Sequence, residues 1–215
     1  MRLRIHRSIK LLSYLFKNLT FSDFVTTIRT TLFRNDMIYV FVRDTETFAK
    51  DIVGKTTSRG EKDDKVIIKK GEIDELDEFC KRTGASAWEF NCHKFDGVKD
   101  FFIARDDDTI QCITWIYRKA DSNRFLVLGK KDALLQFGMT LPEFRGRGLY
   151  SATLLAAAKY LGEQGYRRVF GLVECSNQVS IKGFEKAHYV KVAEICLRKV
   201  FGIQVSRKLD VSKMD

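Results

Sequence analysis

Residues that bind metals or form disulfides are scarce in this 215-residue chain. Its three histidines, His6, His93 and His188, stand far apart and offer no metal-ligand spacing. The five cysteines, Cys80, Cys92, Cys112, Cys175 and Cys196, are odd in number, scattered and without a Cys-x-x-Cys pair. Such usage fits reduced thiols in a cytoplasmic setting and speaks against a disulfide framework or a zinc site. No apolar run approaches the ~18 residues that a membrane-spanning helix needs. A compact apolar core followed by a small-residue cleavage site, the mark of a secretory signal, is missing too. Two phosphate signatures are also incomplete or absent. Gly54-Lys55-Thr56 resembles the end of a Walker A loop, but Ala49 stands where the first glycine belongs. No Gly-x-Gly-x-x-Gly fingerprint occurs, nor any internal repeat or low-complexity segment.

What is present is ample apolar material and an excess of positive charge. Hydrophobic residues make up 45% of the chain, with 17 phenylalanines, which is enough for a core and excludes general disorder. The length suits one domain of ordinary size, or one domain with an extension. The net charge of +10 points to anionic partners. Much of it lies at the start, where Arg2, Arg4, Arg7, Lys10, Lys17, Arg29 and Arg34 face only Asp23.

Ile5, Ile9, Leu12, Phe16 and Leu19 recur at helical spacing, with Arg7, Lys10 and Lys17 on the other face. A basic amphipathic helix of this kind suits the headgroup region of an anionic membrane. A helix docked on its own domain or a partner, and an organelle transit peptide, are the other readings. Thr20-Phe21-Ser22-Asp23 resembles a capping box opening a second amphipathic helix. Met37 to Val42 reads as a strand that joins the main sheet. The polar stretch from about Lys55 to Lys65 marks a boundary, giving an extension over 1–60 and a core domain over 61–215.

The core alternates strands and helices. A strand at Val66–Lys69 precedes a helix over Glu72–Arg82 that Gly84 terminates. A helix is placed around Trp88. Phe101–Arg105 and Thr109–Arg118 form a hairpin across Asp106-Asp107-Asp108, aspartates read as turn formers rather than metal ligands. Then come a strand Leu134–Thr140, a helix Leu149–Gln164, a strand Arg168–Glu174 and a helix Gln178–Ala187. Strands Tyr189–Leu197 and Val200–Lys208 finish a mixed α/β sheet.

Between the strand ending at Thr140 and the helix opening at Leu149 lies Pro142-Glu143-Phe144-Arg145-Gly146-Arg147-Gly148. Glycine leaves N–H groups uncovered and tolerates positive φ, so several donors can converge on one anion. The helix N-terminus adds unpaired N–H groups and about half a positive charge. Arg145 and Arg147 add forked donors suited to phosphate. The loop reads as a diphosphate cradle, with a tight turn in a basic patch as the alternative.

With this loop, the elements around it and Asn177 before the next helix, the chain resembles the GNAT superfamily of acyl-CoA-dependent N-acyltransferases. The superfamily's Gln/Arg-x-x-Gly-x-Gly/Ala appears as Arg145-x-x-Gly148-x-Tyr150. Its later Asn-x-x-Ala/Ser-x-x-x-Tyr-x-x-x-Gly-Phe appears as Asn177, Ser180, Phe184, His188 and Tyr189. The resemblance covers the chain from about Val66 onward. It implies a mostly antiparallel sheet whose central strands splay into a V around acetyl-CoA, the co-substrate, with no metal. Backbone at Gly138, Met139 and Thr140 would pair with the pantetheine arm. The amides of Arg145, Gly146, Arg147, Gly148, Leu149, Tyr150 and Ser151 would hold the diphosphate, and Asn177 and Ser180 would meet the cofactor arm.

Three positions depart from the pattern. Tyr150 replaces a small residue, His188 replaces a glycine, and Phe184 stands where many members carry a proton-donating tyrosine. A thiolate is a fair leaving group, so direct transfer needs only N–H groups polarising the thioester. The amine must still lose a proton. Glu174, at the end of a strand bordering the V, is the first candidate base, with a surface ion pair to Arg167 or Arg168 as its alternative. Tyr117, with Trp115 on one strand face, would line the acceptor pocket or pack in the core. Cys175 reads as a packed thiol. The expected function is transfer of acetyl from acetyl-CoA to a primary amine, on a lipid-linked or envelope amino sugar at a membrane surface. The alternative is a GNAT-like module that binds acyl-CoA without transfer. Nucleic acid is not an expected partner; a homodimer is left open. The expected location is cytoplasmic, at the inner membrane face if the extension binds lipid.

Overall fold

The computed structural model describes residues 33–46, 66–123, 125–200, 203–205 and 208–214. The two amphipathic helices expected before residue 33, and the boundary expected between Lys55 and Lys65, lie outside the described residues. The chain divides into two compact units, Met1–Met37 with Cys196–Arg207, and Ile38–Ile195 with Lys208–Asp215.

In the larger unit the strands are β1 (Phe33–Asp44), β2 (Ile67–Lys70), β3 (Phe101–Arg105), β4 (Ile110–Tyr117), β5 (Leu126–Val127), β6 (Asp132–Thr140), β7 (Arg168–Glu174), β8 (Val190–Val200) and β10 (Leu209–Asp210), of which β1 and β8 reach into the smaller unit. The helices are α1 (Ile73–Thr83), α2 (Cys92–Asp96), α3 (Leu149–Glu163) and α4 (Gln178–Lys186). Strand order in the main sheet is β2-β3-β4-β6-β7-β1-β8. The pairings β2–β3, β3–β4, β4–β6 and β7–β1 are antiparallel, and β6–β7 is parallel. The sheet is therefore mixed and mostly antiparallel, as expected. In the smaller unit, β9 (Ile203–Val205) pairs antiparallel with β8 through Arg198↔Val205 and Val200↔Ile203.

Local chemistry explains the elements. In α1, Asp74 and Glu75 lie in the first turn and Lys81 and Arg82 in the last, each favourable to the helix dipole. Leu76 and Phe79 turn inward, and Gly84 ends the helix at φ 70. The hairpin turn is built by one aspartate: Asp106 Oδ1 accepts from Asp108 N (3.0 Å) and Thr109 N (2.7 Å). At the far end of the hairpin, Asp100 bonds Arg118 and pairs with Lys70 at 2.9 Å. Burial pushes the Asp100 carboxyl up, but these two cations outweigh it and hold it below its usual range.

The interior between sheet and helices holds Phe41, Phe102, Ile116, Leu135, Leu154, Leu161, Val169 and Phe184, all buried. Fully burying one such side chain contributes roughly 1.5–3 kcal/mol. Phe184 stacks on Phe41 with centroids 5.4 Å apart and meets Tyr189 edge-on at 5.0 Å. Gly171 makes room for it: a Cβ there would lie 2.1 Å from Phe184 Cε1.

Several expectations change. The early strand is longer than expected and lies inside the sheet, between β7 and β8, where Val40 faces Leu172 on β7 and Phe41 stacks on Phe184 of α4. Within the final strand expected over Val200–Lys208 the described residues form β9, and a separate short strand, β10, follows it. β10 leaves the main sheet to pair in parallel with β5, a two-residue strand too short to show a period. Around Trp88 the chain forms a 3-10 turn, Trp88–Phe90, before α2.

The end of α4 carries a fully formed Schellman motif. His188 N–H donates to Glu185 O (2.9 Å) and Tyr189 N–H to Phe184 O (3.0 Å). His188 takes the left-handed position at φ 58, where glycine is usual. The buried Arg43 guanidinium of β1 donates to Ala187 O (2.9 Å) and His188 O (3.3 Å), placing a cation at the same helix end. Because the exposed His188 ring makes no described hydrogen bond, His188→Gly removes strain at small cost. A left-handed residue with a Cβ costs about 1–2 kcal/mol, of which glycine's chain entropy returns about half. The variant is expected to gain about 0.5–1 kcal/mol in urea unfolding.

Candidate active site

The parallel pairing of β6 with β7 runs from Asp132↔Arg168 to Leu135↔Gly171 and stops there. Beyond it, Gln136 to Thr140 pair only with β4, and Leu172 to Glu174 pair only with β1. The two strands part, and β6 changes from buried to half-buried at the same residue. An irregularity marks the point. Gln136 faces Trp115 and Met139 faces Ile113, so Phe137 and Gly138 together oppose Thr114. An extra residue bends and twists the strand that carries it. Phe137 accordingly sits at φ 53, and Thr114 Oγ1 opposite is buried without a hydrogen-bond partner.

Below the opening the strands are clamped. Arg168 Nε lies 2.9 Å from Asp132 Oδ1, and its Nη2 lies 3.0 Å from Oδ2, a forked charge-assisted pair. This engages Arg168 away from Glu174. Glu174 is exposed at the free end of β7, and its carboxylate has no described hydrogen bond or ion pair.

The glycine loop follows β6 directly. Pro142–Phe144 make a 3-10 turn, and Arg145 Nε donates to Thr140 O at 3.2 Å, tying the loop to the strand end. Arg147 lies over the Phe144 ring at 5.3 Å. Gly146 and Gly148 adopt φ 82 and φ 79, and a Cβ built on either meets nothing within 4 Å. Gly148 caps α3 without any side-chain bond. The first hydrogen bond into the helix is Ala152 N–H to Gly148 O (3.1 Å), so the amides of Leu149, Tyr150 and Ser151 precede it. Leu149 itself is buried and anchors the helix start. Ser151 Oγ donates to Gly183 O at 3.0 Å, joining α3 to α4.

The remaining sequence-predicted residues fall into two groups. Gly138, Met139 and Thr140 line the parted stretch of β6; Thr140 Oγ1 is turned to Cys112 Sγ at 3.3 Å. Asn177 caps α4, its Oδ1 accepting from Ser180 N at 3.1 Å, which places both just beyond the end of β7. Tyr117 is different. It is buried, pairs with Leu134 below the opening, and donates its hydroxyl to Asp96 Oδ2 at 2.8 Å. Burial and then that bond push its phenol well above the usual range. Trp115 is fully buried as well, with Nε1 donating to Glu89 O at 2.6 Å, so both pack in the core.

Sequence reasoning missed the aromatic wall beside the opening. The Phe137 ring lies 6.2 Å from Trp88, which stacks on the exposed Phe95 at 4.4 Å. No periodicity announces it, since its members come from a bulge, a 3-10 turn and a five-residue helix. A recess of about 420 Å³ between α1 and α2, lined by Asp77, Lys81, Asn91, Lys94 and Phe95 among others, shares no residue with the loop.

Among the described residues no group could hold a metal ion, and no helix is long and apolar enough to cross a membrane. No curated protein matches the sequence. Among solved structures, an acetyltransferase of the GNAT family from Colwellia psychrerythraea is 13% identical over 79% of this chain and 57% of its own, with a TM-score of 0.48. A GCN5-related N-acetyltransferase from Sphaerobacter thermophilus is 12% identical over 87% of this chain and 58% of its own, with a TM-score of 0.49. A Drosophila protein is 11% identical over 85% of this chain and 57% of its own, with a TM-score of 0.50. The chain thus spans less than two thirds of the length of each. The family model described as Acetyltransferase (GNAT) family matches residues 71–189, which is more than half the chain and contains the parted strands, the glycine loop and the capped helix α4. The chain belongs to the GNAT family of acetyltransferases.

Proposed function

We propose that the protein transfers an acetyl group from acetyl-CoA to a primary amine by direct attack. The observation that carries this reading is the coincidence of two vacancies in the hydrogen-bond pattern. The edge of β6 from Gln136 to Thr140 lacks a neighbouring strand on the β7 side, and the loop that follows it opens a helix with uncommitted amides. Main-chain groups left unpaired in a half-buried place need a partner. A pantetheine arm supplies amides for the strand edge, and a diphosphate supplies acceptors for the loop.

In this reading the amides from Gly146 to Ser151 hold the diphosphate, with Arg145 and Arg147 adding charge. Gly138, Met139 and Thr140 pair with the arm, and Asn177 and Ser180 flank it. The thioester then lies near the bulge, where backbone N–H groups can polarise its carbonyl. Glu174, at the open end of β7 and without an ion pair among the described residues, takes the proton from the attacking amine. Tyr117, whose phenol keeps its proton and donates a hydrogen bond to Asp96, holds the wall under Phe137. The acceptor approaches along Phe137, Trp88 and Phe95, a surface suited to an amine with an apolar or ring-shaped body. The basic residues among positions 1–34 favour an acceptor presented at an anionic membrane, such as a lipid-linked amino sugar.

Three outcomes test the parts separately. Gly148→Ala puts a side chain into space that is open in the protein, at a backbone cost of about 1–2 kcal/mol for the left-handed position, so the fold should persist. Its dissociation constant for acetyl-CoA, by calorimetry, is expected to rise at least about tenfold. An unchanged constant in a folded variant removes the cradle. With an accepted amine, Glu174→Gln is expected to lower kcat by about a hundredfold at unchanged KM. An unchanged kcat assigns the proton to another group. The full chain should co-sediment with anionic vesicles at low salt and detach as salt rises; indifference to such vesicles removes the membrane part alone.

A further inference from the structure

Resting on the acyl-CoA reading, we infer that Tyr150 is the admission point for the cofactor arm: its ring occupies the gap between β6 and α4 that the arm must enter, so binding requires the ring to move. The space is defined on both sides by glycine. A Cβ on Gly138 would lie 2.3 Å from Tyr150 Cε2, and a Cβ on Gly183 would lie 2.6 Å from Tyr150 Cδ1. Real side chains do not tolerate such separations, so the Tyr150 ring lies directly on bare backbone of both elements.

One of those elements is a wall of the opening, and the other packs on its second wall, β7. Gly138 belongs to the bulged, parted stretch of β6, and Gly183 belongs to α4, which is seated on β7 by Phe184 over Gly171. Tyr150 also meets the Phe184 ring edge-on, with centroids 5.9 Å apart at 88°. The ring therefore bridges from one wall to the helix packed on the other, at the first turn of α3 and beside the glycine loop. An arm running from the loop to the bulge passes through the same place.

The described contacts that hold the ring are apolar: it packs against the buried clusters around Phe184 and around Cys112 and Leu149. The Tyr150 hydroxyl has no described hydrogen bond, whereas Ser151 next to it is tied to Gly183 O. Burial raises the phenol above its ordinary range, so it stays neutral and presents no charge to a ligand. A ring held without a hydrogen bond can turn about χ1 at the cost of its packing alone. Arm binding then has to offset that cost, and apparent affinity falls with the fraction of molecules in which the ring is displaced.

The experiment compares coenzyme A with 3′-phospho-ADP, which carries the diphosphate but no arm. Calorimetry on Tyr150→Ala is expected to show coenzyme A binding about tenfold tighter than to the wild type, with 3′-phospho-ADP unchanged. Tyr150→Phe, which keeps the ring, should bind both ligands as the wild type does. Coenzyme A binding that is unchanged or weaker in a folded Tyr150→Ala overturns the inference while leaving the cradle standing. Failure of both ligands to bind either protein overturns the cradle, and the admission role with it. Fluorotyrosine placed at position 150 of the full chain gives a readout without truncation. Its fluorine resonance should shift with coenzyme A and stay still with 3′-phospho-ADP; a shift with both, or with neither, overturns the proposal.

Discussion

Hydrogen bonding between β6 and β7 ends after Leu135↔Gly171, and the rest of the site follows from that interruption. The forked pair of Arg168 with Asp132 holds the strands together at one end, while the bulge at Phe137 turns β6 away at the other. Had the pairing continued, Gln136 to Thr140 would be an ordinary interior strand with every main-chain group satisfied. There would be no edge for a ligand amide to pair with. The loop after Thr140 would then be only a turn. Its anion-binding character matters because the strand it leaves is open on one side.

Around the opening, aromatic rings lie directly on glycine. Phe184 rests over Gly171, Tyr150 rests over Gly138 and Gly183, and Phe41 stacks on Phe184 from β1. Each ring needs the absence of a Cβ opposite it, so these glycines are positions of close approach rather than of unusual φ. The substitution of Phe at 184 also gains meaning in this setting. Its ring is buried between Phe41, Tyr150 and Tyr189, where a hydroxyl would need a partner. Tyr189 already buries one hydroxyl without any. A second would add a desolvation cost of about 1–3 kcal/mol.

The parts legible in the sequence were those with a local signal. Gly84 after an amphipathic run, Asp106 at a tight turn, and Gly146 and Gly148 between strand and helix each act within a few residues, and each lies where it was placed. The glycine loop could be named because its chemistry is main-chain chemistry. Less legible were features made by distant pairing. Met37 to Val42 reads as β-rich, but its slot between β7 and β8 depends on Phe41 finding Phe184. Trp115 and Tyr117 alternate like pocket-lining residues, and only the 3-10 turn and α2, with Glu89 and Asp96, show that they are covered. The strand β5 and its partner β10 have two residues each, below the length at which alternation can be seen. The bulge at Phe137 left no mark, since no sequence rule identifies a phenylalanine with positive φ.

Placing β1 between β7 and β8 also sets an order of events during synthesis. Ile38 to Asp44 leave the ribosome long before Glu174 to Arg168, their partners on one side, have been made. Until then a strand carrying Ile38, Val40 and Phe41 has both edges bare, the condition in which strands find wrong neighbours. Closing so long a loop is slow compared with forming the local hairpin of β3 and β4. The hairpin, α1 and α3 can assemble from neighbouring segments, whereas the β7 edge must find a strand translated long before it.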